Sequence, residues 1–183
     1  MVSPTDAEPE RPAAQRLFFA LWPDASLQHR IHALARTALA RGNGRLVAPG
    51  NLHLTLAFLG AVDADRRRCL EAAAGTVRTG RFSLEFDVAG YWAKPRVLWF
   101  GCSRPPQALL DLVASLQSGV RACGFDPDRR PYAVHLTVAR SVAHNPGAAG
   151  IAPLYWPVDG FVLVESQTRP EGAQYRPLRA WAL

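Results

Sequence analysis

The chain has 183 residues, of which 49% are hydrophobic, enough for one sizeable core and at most two small lobes. Its formal net charge is +6 and Lys94 is the only lysine, so nearly all of the positive charge is arginine, the better side chain for bidentate phosphate recognition. No stretch approaches the roughly 20 apolar residues of a membrane span, no secretory signal is visible, and the three cysteines (Cys69, Cys102, Cys123) are odd in number and lack metal-ligand spacing. A soluble cytoplasmic protein with reduced thiols is expected. The basic balance points to an anionic partner, nucleic acid first, although a GC-rich genome would also enrich arginine.

Residues 1–15, "MVSPTDAEPERPAAQ", are polar and rich in Pro and Glu and read as a disordered leader. "RLFFALW" (16–22) has the aromatic and aliphatic content of a strand, ended by Pro23. Asp24 or Ser26 can cap the helix expected over 26–42, where Leu27, Ile31, Leu34 and Leu39 share one face. "NLHLTLAFLG" (51–60) is a strand, and 63–78 is a second helix with Asp63 as its cap. Strands over 82–92 and 96–102 flank a turn near Pro95. A third helix covers 105–124, with proline at its start and glycine at its end. "YAVHLTVARSV" (132–142) and "GFVLVESQT" (160–168) are strands, and a short "YRPLRAWAL" closes the chain. The order suggests a weak duplication. Each of two α+β halves delivers one His-Leu-Thr strand after a long amphipathic helix, and residues 16–183 form one unit of two facing lobes.

The repeated pattern is the informative feature. His-Leu-Thr-aliphatic occurs at His53 and again at His135. Side chains alternate along a strand, so His53 and Thr55 share a face opposite Leu52, Leu54 and Leu56. His135 and Thr137 likewise oppose Val134, Leu136 and Val138. The leucine faces read as core, which leaves each His/Thr face partly polar. An imidazole and a hydroxyl about 7 Å apart at their Cα atoms can reach one small anion. Two histidines converging on a phosphodiester can divide proton transfer. One neutral ring takes a proton from the attacking group and one imidazolium gives a proton to the leaving oxygen. The threonine hydroxyls can donate to non-bridging oxygens, and no metal is needed. His29, His32 and His144 read as surface residues. HExxH, a nucleophile elbow, a Walker A loop and a dinucleotide-binding glycine fingerprint are all absent.

At this point the chain resembles the two-histidine (2H) phosphoesterases, and within them the bacterial and archaeal RNA 2',3'-cyclic phosphodiesterases, historically called 2'-5' RNA ligases. The resemblance rests on the two HxTx motifs with their flanks, supported by "RLFFALWP", "RVLWFG" and "ESQTRPEGAQYRPLRAWAL". It implies an α+β bilobal fold, two pseudo-symmetric lobes whose antiparallel sheets line a central cleft with helices outside. It implies opening of a terminal 2',3'-cyclic phosphate in RNA to a 2'-phosphate without metal or other cofactor, with 2'-5' ligation as the reverse reaction. By the same resemblance His53 is the proton donor to the departing 3' oxygen, His135 the proton acceptor that activates water, and Thr55 and Thr137 bind the phosphate. Arg140, in "HLTVAR", is a candidate substrate contact, although its odd offset from His135 turns it away from the cleft unless the strand ends or twists there. The implied partners are RNA ends with 2',3'-cyclic phosphate, tRNA fragments among them, or cyclic nucleotides. No membrane is implied, and the protein is expected to be a monomer. Other readings are a 2H enzyme acting on a small cyclic nucleotide such as ADP-ribose 1'',2''-cyclic phosphate, and an RNA-binding module without turnover. One departure is Val134, where the family usually has proline before the second histidine. Valine keeps strand propensity but does not fix φ as proline would. Phe18 or Phe19 could face the cleft, but not both.

Overall fold

A computed structural model of the protein describes residues 14–39, 43–128, 130–147, 149–169 and 172–183. The leader expected over 1–15 lies outside the described residues up to position 13, and Gln15 already opens the first strand, β1 (Gln15–Leu21). Asp24 rather than Ser26 caps the helix α1 (Ala25–Leu39): its carboxylate accepts from the Leu27 amide at 2.7 Å, satisfying one of the orphan donors of the first turn. Leu27, Ile31 and Ala35, each four residues apart, are its buried stripe. A short strand β2 (Arg45–Leu46) and a single 3-10 turn (Pro49–Asn51) lead into β3 (Leu54–Val62), so the strand expected over 51–60 begins one residue after His53.

Asp63 caps α2 (Ala64–Ala74) by accepting from Arg66 N at 2.8 Å, as its sequence position implies. The hairpin β4 (Phe82–Trp92) and β5 (Val97–Gly101) turns at a cis Lys94–Pro95 bond. Helix α3 (Gln107–Ala122) buries Leu109, Leu112, Val113, Leu116 and Val120, each contributing roughly 1.5–3 kcal/mol by leaving water. The chain then forms β6 (Leu136–Arg140), β7 (Ala149–Val158), β8 (Gly160–Arg169) and β9 (Gly172–Ala182). No helix of the described residues is long and apolar enough to cross a membrane.

The strands form one antiparallel sheet in the order β7-β4-β5-β6-β3-β1-β8-β9, with β2 added beside β6. Read outward from the middle it is two four-stranded halves, β3-β1-β8-β9 and β6-β5-β4-β7, each beginning with the strand that follows a His-Leu-Thr histidine. The halves meet through a single pairing, Leu54↔Leu136. Beyond it the seam is free to open, and this makes the cleft. The helices cross the seam: α1 of the first half packs on β6 and β7, and α3 of the second packs on β3. One apolar core runs beneath both halves, from Leu17 and Ile31 through Leu54 and Leu136 to Leu112 and Leu163.

Two expectations change. Cys69 on α2 and Cys123 at the end of α3 are disulfide-bonded, with their Cα atoms 5.8 Å apart, so only Cys102 is a free thiol. The two residues are 54 positions apart and meet only because α2 packs on α3. The segment 149–158, with Pro153 and Pro157, had no strand assigned, yet it is β7. Proline is tolerated there because β7 is an edge strand, whose outward amides have no partner to lose.

Candidate active site

The pairing Leu54↔Leu136 fixes how the two motifs meet. Both leucines are fully buried on the core side. Continued by one residue in each direction, that antiparallel register sets His53 across from Thr137 and Thr55 across from His135, all four on the opposite face. The motifs are therefore interleaved. The histidines lie on one diagonal of a four-residue cluster and the threonines on the other. The surface around them divides the same way: one arm of the cleft is lined by His53 and Thr137, the other by Thr55 and His135.

The 3-10 turn and the chain before β6 orient the rings. The His53 Nδ1–H donates to the Asn51 carbonyl at 2.8 Å, and the His135 Nδ1–H donates to the Ala133 carbonyl at 2.9 Å. A carbonyl oxygen only accepts, so each Nδ1 carries the proton and each Nε2 is left to take or give one. The two bonds span the same two residues, which is the duplication at atomic level.

The surroundings of the rings differ. His53 sits among Trp22 (stacked, 5.7 Å between ring centroids), Phe18 (4.9 Å) and Tyr175 (4.7 Å). Burial lowers its pKa to about 4, against the pull of the Asn51 carbonyl, and the positive charge of Arg140 lowers it further, as does coupling to the second ring. His135 touches Trp92, with 4.8 Å between centroids, and Trp92 leans on Trp99 at 5.4 Å. Trp99 lies flat against Gly90, where a Cβ would fall 2.1 Å from the ring, so only glycine fits there. Phe18 is buried behind His53 and Phe19 belongs to the main core, so alternation puts Phe18 on the site side as packing and not as an open stacking surface. His29 and His144 are exposed and His32 is half-buried, all outside the cluster.

Arg140 reaches the cleft despite its odd offset. On β5, Leu98 pairs with Ala139 and Trp99 with Thr137, which leaves Val138 as an extra residue in β6. This β-bulge reverses the alternation, so Val138 and Ala139 are both buried and Arg140 turns out beside His53 and Thr137. A second arginine was not anticipated: Arg45 on β2 pairs directly with Arg140. Like charges directly opposite are unfavourable, and neither arginine pairs with a carboxylate among the described residues. Arg16 lines the same arm, of about 540 Å³, with Asn51, Ser166 and Thr168, and no acidic residue lines it among those described. Nothing in the sequence marked Arg45, because β2 is two residues long and exists only against β6.

Among the described residues no group of three His, Cys, Asp or Glu side chains is placed to hold a metal ion. The residues present can hold one anionic phosphorus centre between four donors, with a proton acceptor or donor at each end of the histidine diagonal and unpaired cationic charge along one arm.

Comparison with known proteins identifies the family. The 2'-5' RNA ligase superfamily profile matches residues 23–170. The RNA 2',3'-cyclic phosphodiesterase of Escherichia coli K12 is 38% identical over 173 residues, covering 92% of this chain and 97% of that protein. The protein of the same name from Archaeoglobus fulgidus is 30% identical over 91% of this chain and 99% of its own length. The crystal structure of E. coli LigT complexed with 3'-AMP superposes with a TM-score of 0.86 at 35% identity, covering 93% of this chain and 98% of that one. The chain belongs to the 2'-5' RNA ligase superfamily.

Proposed function

We propose that this protein opens a 2',3'-cyclic phosphate at an RNA end to a 2'-phosphate by paired acid–base catalysis. The observation that carries the reading is the crossed cluster, which gives one phosphorus atom a proton-transfer group on each side and a hydroxyl donor beside each. Water attacks phosphorus as the P–O3' bond breaks. The His135 Nε2 takes the proton from water and the His53 Nε2–H gives one to O3'. Thr55 and Thr137 donate to the non-bridging oxygens, where negative charge builds up. The relatives named RNA 2',3'-cyclic phosphodiesterase support the substrate class. So does the arginine arm, since Arg16, Arg45 and Arg140 suit the phosphates of a strand leading away from the terminal ring. All four cluster residues come from one chain, so a monomer is sufficient.

The acid role of His53 needs a proton that the empty site disfavours, because burial, with the Arg140 guanidinium nearby, lowers its pKa to about 4. A phosphodiester on the cluster supplies the opposite charge. It favours the imidazolium by the same electrostatics that Arg140 uses against it. Protonation of His53 and substrate binding are thus coupled.

The test is incubation of the protein, in EDTA, with a short RNA ending in 2',3'-cyclic phosphate, beside His135→Ala, followed by identification of the terminal phosphate. A 2'-phosphate from the wild type alone is expected. A 3'-phosphate would reverse the leaving group, and turnover by His135→Ala equal to wild type would remove that residue from the reaction.

A further inference from the structure

The seam opens on both sides of the single pairing Leu54↔Leu136, and the two openings are braced differently. On the His53/Thr137 side β2 lies against β6, pairing Arg45 with Arg140 and Leu46 with Ala139. The next residue continues the brace, since the Val47 amide donates to the Val138 carbonyl at 2.9 Å. No strand of the described residues does this on the Thr55/His135 side. The chain there is also irregular. Between the end of α3 and Leu136 the described residues form no helix or strand, and Val134 lacks the ring that would hold φ. On β3, Ala57 pairs with Phe19 and Thr55 with Ala20, which leaves Leu56 as an extra residue next to Thr55. Such a bulge disrupts the ladder locally and re-aims the side chains beside it. Neither Thr55 nor His135 is held across the seam by a strand ladder, yet the chemistry needs both at one phosphate.

One side chain spans this gap. The Tyr132 hydroxyl, three positions before His135, donates to the Thr55 carbonyl at 2.8 Å. Its ring packs on the main core. Burial pushes the pKa of the phenol up, so it keeps its proton and stays a donor. Tyr132, Thr55 and His135 line the same arm of the cleft.

We infer that Tyr132 is a positioning residue: its hydroxyl takes the place that β2 fills on the other side of the seam, and holds the Thr55 backbone so that the Thr55 side chain and the His135 ring meet at one phosphorus. This rests on the reaction proposed above. Tyr132 itself moves no proton and acts through Thr55. The Thr55 hydroxyl has to point at a non-bridging oxygen as charge builds up there, and a small misplacement of that donor costs rate. Affinity for the strand, which the arginine arm supplies, is left as it is.

The experiment measures kcat and KM of the full chain on a short RNA ending in 2',3'-cyclic phosphate, with Tyr132→Phe introduced into the wild type, into Thr55→Val and into Thr137→Val. Phenylalanine keeps the ring in the core, and rates are taken well below the unfolding midpoint of every variant, so loss of fold does not enter. In the wild-type background Tyr132→Phe is expected to lower kcat about three- to tenfold, the worth of one neutral hydrogen bond, with the KM of the RNA unchanged. Thr55→Val keeps the carbonyl but lacks the hydroxyl that the bond positions, so there the same change should cost nothing further. In Thr137→Val it should cost its full factor. An unchanged kcat in Tyr132→Phe overturns the inference. So does an equal loss in all three backgrounds, because the bond would then serve the fold in general. A loss carried by KM also overturns it, because the phenol would then contact the RNA. Absence of any hydrolysis by the wild type overturns the proposed reaction itself, and this positioning role with it.

Discussion

His53 lies across the sheet seam from Thr137, the threonine of the other motif. Directly opposed residues on paired strands stand about 5 Å apart, whereas His53 and its own motif's Thr55 are about 7 Å apart along the strand. Each histidine thus lies beside the threonine it does not share a motif with, and neither half of the duplication holds such a facing pair by itself. Separating the halves would leave two incomplete sites, which is a physical reason for both to stay in one chain over one core.

This relationship predicts a pattern of coupling. His53→Ala and His135→Ala are each expected to lower kcat by about 10²–10⁴. Thr55→Val and Thr137→Val should cost about 10² each, as lost oxyanion donors do in other enzymes. In double-mutant cycles the pairs His53/Thr137 and His135/Thr55 should be less additive than His53/Thr55 and His135/Thr137, because contacting residues couple. Measured kcat for the singles and the four doubles decides this, and the reverse pattern would mean that the motifs act separately.

The roles of the two histidines can be separated by the leaving group. A phosphodiester that expels 4-nitrophenolate needs no proton at the departing oxygen. On such a substrate His53→Ala is expected to recover most of its deficit, while His135→Ala keeps its loss, since water still has to be deprotonated. Rescue of His135→Ala in place of His53→Ala would exchange the two assignments.

The pH dependence follows from the aromatic surroundings of His53. Its pKa of about 4 in the empty site makes the protonated, proton-donating ring the minor form of the free enzyme above that pH, and kcat/KM reports the free enzyme, so the contribution of His53 to kcat/KM falls as pH rises through about 4. The same burial makes the fold sensitive to acid. The ring takes up its proton near 6.5 when unfolded and near 4 when folded, so its contribution to stability is present above about pH 6.5 and is lost as pH falls through 4. A pH–rate profile checks the first statement. Chemical denaturation of wild type and His53→Ala at pH 7 and pH 4.5 checks the second, and the gap between the two proteins should narrow at the lower pH.

Salt distinguishes RNA from a small cyclic nucleotide. Three arginines on the strand's phosphates would give a slope of log affinity against log salt near −2, at roughly −0.7 per contact on a single strand. A 2',3'-cyclic mononucleotide reaches fewer of them and should show a shallower slope. Arg45→Ala is expected to reduce the slope for RNA by somewhat less than one unit and to leave the mononucleotide little changed. Equal, shallow slopes for both substrates would favour the small nucleotide as the natural one.

Much of this was legible in the chain itself because it follows from local chemistry. Alternation put His53 and Thr55 on one face and Leu54 and Leu56 on the other, and both leucines are buried. Repetition of the pattern at His135 marked the second strand, and the aliphatic period of four marked α1 and its buried face. The carboxylates of Asp24 and Asp63 were readable as helix caps for the same reason, since a cap is satisfied within three residues.

What the tertiary structure decided depends on contacts between distant segments. The crossing of His53 with Thr137 needs the register of β3 against β6. The outward turn of Arg140 needs a bulge at Val138 that only pairing with β5 defines. Arg45 enters the site because a two-residue strand lies against β6. Cys69 meets Cys123 because two helices pack together. In each case the sequence supplied residues with the right chemistry, and an interaction between segments at least 36 positions apart set their neighbours. Side-chain period is a local property of the backbone, whereas strand register and helix docking are settled by the burial of the whole core.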